Sequence, residues 1–148
     1  MYKRNTEELF NKLKTDSDID KYLSDNQNEF TEPLHKYLNR LLEQNNLDKK
    51  VLYEKICCEP SHVYHIFNGS KKPSRKMLLA MARVMDLNLE STQYLLRYGG
   101  YGILYPRNTW DAVIISAIEQ NLSISDTDTL LRKMGEEPIL NTKFEVKR

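Results

Sequence analysis

The stretch "LDKKVLYEKICCEPSHVYHIFNGSKKPS", residues 47–74, decides how the chain folds. Leu52 and Ile56 recur at helical spacing, and so do Val63, Ile66 and Phe67. Only "CCE" separates the two runs. Asp48 can cap the first run, and the second runs from Pro60. Asn68-Gly69 stops the second run, with glycine supplying left-handed backbone. Lys72 is held extended by Pro73, and Ser74 caps a further helix. The stretch therefore reads as two short helices, 49–56 and 60–67, joined by a tight turn. Their apolar surface is too small for the pair to stand alone. They must pack on the helices before and after, which makes a compact five-helix unit over 33–98.

Working outward, strand signals are few. Glycine and proline number five each and fall where helices would stop. The chain reads as an all-α protein of about seven helices. A helix over 33–46 carries a stripe of Leu34, Tyr37, Leu38, Leu41 and Leu42. Another over 75–85 turns Leu78, Met81, Ala82 and Met85 inward, and one over 89–98 buries Leu95 and Leu96. "YGGYG" breaks the chain at 98–102, after which helices are expected over 109–121 and 126–134. At the front, 6–14 reads as a helix with Leu9, Phe10 and Leu13 on one face. Ile19, Tyr22 and Leu23 suggest a second short turn of helix. The expected organisation is an acidic helical arm at 1–32, the five-helix unit at 33–98, and a helical extension at 99–148.

A chain of 148 residues is long enough for one domain with extensions. With 40% hydrophobic and 29% charged residues it reads as soluble and globular. No apolar run approaches the ~18 residues of a membrane span. "MYKRNTEELFNKLK" lacks the apolar centre of a signal peptide. Two adjacent cysteines without a spaced framework suit a reducing, cytoplasmic setting. The net charge is only +1, but its distribution is uneven. Residues 1–32 hold five Lys/Arg against eight Asp/Glu, residues 48–76 hold seven against three, and residues 77–148 hold eight against nine. Positive charge gathers around the stretch quoted first.

That stretch resembles the helix-turn-helix of the Cro and phage-repressor family. Leu47, Asp48, Lys49, Leu52, Ile56, Val63, Ile66, Gly69, Pro73 and Ser74 fall in the family's order and spacing without a gap. The resemblance covers about 65 residues, from Leu34 to Tyr98. It implies double-stranded DNA as partner. The second helix enters the major groove, which is about 12 Å wide, while the first crosses the backbone. Carried over position by position, it implies that Lys49 reaches a phosphate or a guanine edge. Ser61, His62 and His65 would meet bases, and Tyr64 the sugar-phosphate backbone. Asn68, Lys71 and Lys72 would hold phosphates, with Arg75 and Lys76 nearby.

The departures are also specific. Pro60 stands where the family often has a long polar reader, and Glu59 brings negative charge to the same end. Cys57 replaces the small turn residue, often glycine, and Tyr53 stands where alanine is preferred.

Other chemistries have less support. Cys57, Cys58, His62 and His65 are zinc-compatible types, yet adjacent cysteines point apart and the usual spacer between them is missing. No nucleophile–base set and no Gly-rich phosphate loop is visible, so no enzyme, metal or cofactor is expected. Trp110 with Ile114, Ile115 and Ile118 makes a wide apolar face, read first as internal packing and alternatively as a dimer interface. Tyr94, Tyr98, Tyr101 and Tyr105 are expected to anchor the C-terminal part to the five-helix unit. The expected function is a transcriptional regulator that occupies an operator as a homodimer. The alternative is a protein-interaction module, an antitoxin or adaptor, that meets a protein partner through its N-terminal arm or C-terminal helices.

Overall fold

A computed structural model of the chain describes residues 6–15, 19–20 and 32–140. It divides into two compact units, Met1–Glu32 and Pro33–Arg148. Among the described residues there are eight helices of eight residues or more, and no strand.

The first unit contributes α1, Thr6–Thr15. Glu7 and Glu8 stand in its first turn and Lys12 and Lys14 in its last, which complements the helix dipole. Phe10 and Leu13 were expected on a packed face, but they are 59% and 43% exposed. Of the expected second turn, Tyr22 and Leu23 lie outside the described residues.

The second unit opens with α2, Leu34–Gln44, which buries Leu38, Leu41 and Leu42. Pro33, where the sequence begins this helix, is its N-cap. Asn46 then takes a left-handed φ of 55°. The Leu47 amide bonds back to Leu42 O, and Leu47 plugs the helix end. Next come α3, Lys49–Ile56, and α4, Pro60–Phe67, at the bounds the sequence implies. α5, Arg75–Val84, buries six consecutive residues, Leu78 to Arg83. A helix buried on every side belongs at the centre of a bundle. α6, Leu89–Tyr98, follows from an Asn88 cap.

α7, Thr109–Glu119, and α8, Ile124–Lys133, pack against each other and onto α6 and α5. α7 stops earlier than expected because Gln120 caps it and Asn121 turns left-handed. α8 starts earlier than expected because Ser123 is the residue that caps it, its hydroxyl accepting from the Asp126 amide.

Polar clamps fasten this pair. Arg75 donates to both oxygens of Asp111 and to the carbonyls of Gly102 and Ile103. Gln93 bonds both the amide and the carbonyl of Leu104. The Asp128 carboxylate accepts from the amides of Ile139 and Leu140.

The four tyrosines do not form one anchor. Tyr94 and Tyr98 group with Tyr37 of α2, whose ring stacks on Tyr98 at 4.4 Å. Tyr101 reaches the Pro73 carbonyl, while Tyr105 is exposed. The Trp110 face is used inside the chain. Ile114 and Ile118 are core, and the Trp110 indole donates to the Glu137 carbonyl at 2.7 Å.

Candidate nucleic-acid interface

The geometry of α3 and α4 follows from local chemistry. Asp48 Oδ1 accepts from the Val51 amide at 3.1 Å and starts α3. Cys57 ends it in the left-handed region, at φ 60° and ψ 45°. The turn thus adopts the conformation that glycine would favour, with a cysteine in its place. Glu59 is the N-cap of α4 but makes no side-chain cap bond, and Pro60 occupies the first turn.

α4 is two-faced. Val63, Ile66 and Phe67 are buried, at most 3% exposed. Ser61, Tyr64 and His65 are exposed on its other side. The Tyr64 ring lies 6.3 Å from that of Tyr53, so the aromatic departure at position 53 supports Tyr64 from α3. His62 is the exception to the expected exposed row. It is half-buried and lines a cleft of about 360 Å³ with Cys57, Cys58, Met77 and Ile139. Burial, then the charges of Lys71 and His65, pushes its pKa below the ordinary histidine value. In the same cleft burial first, then Cys57 and Glu59, pushes the Cys58 thiol pKa up.

The phosphate-seeking residues divide by environment. Lys49 is half-buried, its ammonium 5.6 Å from the Phe67 ring centre. Asn68 Oδ1 accepts from the Ser70 amide, which shapes the exit loop. The Lys71 amide donates to His65 O, so this lysine is tied by its backbone to the end of α4 and its exposed side chain projects from there. Lys72 sits over Tyr101, 4.7 Å from the ring centre. That contact limits a flexible side chain without neutralising it.

Arg75 and Lys76, expected nearby, make contacts of their own. Arg75 is committed to Asp111 at 3.0 and 3.1 Å. Lys76 pairs with Glu137 at 3.3 Å and lies over Trp110. Among the described residues, no group of three or more His, Cys, Asp or Glu gathers at metal-binding range.

Two residues of α2 enlarge the site. Asn39 donates to the carbonyls of His35 and Phe67, both at 2.8 Å, and so pins α2 to the end of α4. His35 packs under the exit loop: a Cβ on Gly69 would stand 2.7 Å from its Nδ1. A recess of about 250 Å³ opens there, lined by His35, Gly69, Lys71, Lys72 and Tyr98. A histidine and an asparagine four positions apart within an apolar stripe are the signal for this contact, legible at 35 and 39.

Residues 38–91 match the helix-turn-helix family. No curated protein and no solved structure matched the chain.

Proposed function

Starting from a helix-turn-helix domain of the Cro/repressor-like family at residues 38–91, we propose that this protein reads a specific double-stranded DNA sequence and regulates transcription by occupying an operator as a homodimer. One observation carries the reading. The exposed side of α4 presents Ser61, Tyr64 and His65, while Lys49, Asn68, Lys71 and Lys72 flank it on the neighbouring ends and loop. Short polar groups at the centre suit base edges, and cations at the margins suit phosphates. His62 takes part through its half-exposed ring at the edge of this surface. His35, beneath the exit loop, joins the phosphate side.

A single module with few base contacts binds weakly, and a twofold pair on matched half-sites doubles those contacts. Because the Trp110 face is used internally, we place the twofold contact elsewhere. Tyr94, Ile103 and Tyr105 are the large exposed apolar side chains beside the Gln93–Leu104 clamp. A second reading, a protein-interaction module, is favoured by exposed Phe10 and Leu13 on α1 and by Glu59 at the front of α4.

Fluorescence anisotropy on a pool of native promoter fragments separates the two. Affinity should fall steeply as salt rises, because phosphate contacts release counterions. A folded sample that binds no duplex at low salt would exclude the DNA reading. Mass measurement on and off DNA tests the dimer, and a monomer in both states would remove it.

A further inference from the structure

Arg83 is a buried cation whose partners do not account for its charge. Its side chain is buried, with the residue 4% exposed. Nη1 donates to Leu122 O at 3.0 Å, and Nη2 donates to Leu87 O. Nε is buried and has no hydrogen-bond partner. Among the described residues its ion-pair partner is Asp86, whose closest oxygen is 4.0 Å away and whose side chain is 74% exposed. Burying a charge without a close counter-ion is costly, and burial does press this guanidinium's pKa downward.

The surroundings suggest what would complete it. Arg83 lines a cleft of about 350 Å³ with Lys55, Val84, Ser123, Ile124 and Ser125. Lys55 is the basic residue of the last turn of α3. Ser123 to Ser125 open α8, a ten-residue helix. The Ser123 cap takes the Asp126 amide, so Ile124 and Ser125 stand ahead of it in the turn whose amides have no intrahelical partner. The nearby acids are Asp86 and Asp126, both exposed. The cleft is lined by two cations, the first turn of a helix and two serines, and one of the cations is buried with an unused donor. That set matches a compact oxyanion with several acceptor oxygens.

We propose that this cleft is a phosphate-binding site, taking a free phosphate ion or the phosphate group of a small monoester. It is separate from the DNA-facing surface and stands or falls without it. A bound phosphate would supply the missing counter-charge to Arg83. It would also bridge α3, the first helix of the pair, to α8 of the C-terminal helices.

The test is a ¹⁵N chemical-shift titration of the full chain, without DNA, using sodium phosphate against sodium chloride at equal pH and ionic strength. The amides of Ile124 and Ser125 should shift to saturation with phosphate and not with chloride. Lys55→Glu, an exposed change that leaves the core intact, should weaken the binding about tenfold or more, the loss of one charge-assisted contact. Ser125→Ala should weaken it less. Lys71→Ala, on the DNA-facing loop, should leave the titration unchanged. A second arm with phenyl phosphate tells the sources apart: saturation there too means that an ester is accepted, and saturation with the inorganic ion alone means that the free ion is the ligand. The proposal is overturned if Ile124 and Ser125 show no saturating shift. It is equally overturned if phosphate shifts only the loop amides of residues 70–72 and Lys71→Ala abolishes the effect.

Discussion

Arg75 and Asp111, 36 positions apart, form a two-point ion pair at 3.1 and 3.0 Å. Arg75 stands in the first turn of α5, within the helix-turn-helix domain, and Asp111 in the first turn of α7, beyond it. Asp111 also accepts from the Tyr105 amide, so one carboxylate holds both a helix and the loop that precedes α7. Asp111→Ala should therefore destabilise the fold by about 2–3 kcal/mol, somewhat under the cost of breaking a fully buried pair because the Arg75 side chain keeps 28% exposure. Urea denaturation measures it. Arg75→Lys should recover little of that contact, since a point charge cannot reproduce the fork.

Cys57 carries left-handed strain at the turn between α3 and α4. Cys57→Gly should stabilise by about 0.5–1 kcal/mol, the relief of left-handed strain less the larger entropy of a glycine in the unfolded chain. Cys57→Val should destabilise, because a branched side chain tolerates that conformation least. Denaturation midpoints of the two variants should move in opposite directions.

Gly69 needs its missing side chain for two reasons. Its φ is +87°, and His35 occupies the space a Cβ would take. Gly69→Ala should cost about 1–3 kcal/mol in stability. If His35 shapes the phosphate side of the interface, the same change should weaken binding to all duplexes, read by anisotropy under conditions where the variant is folded.

His62 gives a pH dependence whose sign can be worked out. Its folded pKa lies below the ordinary value of about 6.5, so the unfolded chain binds its proton more readily. Stability from this residue is complete above the unfolded value and declines as pH falls through the window between the two pKa values. His62→Gln should flatten the stability profile in that window. An NMR titration should find this ring titrating below an unperturbed histidine. A midpoint above 6.5 would contradict the cleft environment.

On the proposed recognition surface, Ser61→Ala and His65→Ala should each cost about 1–3 kcal/mol on the preferred site alone. Lys71→Ala should weaken all sequences alike and reduce the salt slope by about one. Competition with random duplex distinguishes the two patterns. Uniform losses for all three variants would mean that α4 reads no bases.

Much of this molecule is legible along the chain. The bounds of α3 and α4, the Asp48 and Ser74 caps, the Gly69 stop and the buried set Val63, Ile66 and Phe67 follow from residues within about four positions of one another. Helical periodicity and capping are local, so the amino-acid sequence by itself determined the all-helical pattern and the two-faced character of α4. Only the tertiary structure decided which of the charged and polar groups around α4 are engaged within the fold. Arg75, Lys76 and His62 are indistinguishable by type from Lys71 and His65. What separates them is Asp111, Glu137 and the C-terminal segment at Ile139, which approach from 36, 61 and 77 positions away. The same holds for Arg83, whose burial and carbonyl partners depend on where the 87 and 122 turns meet. Pairing and burial of charge depend on distance in space, and helical spacing carries no information about that.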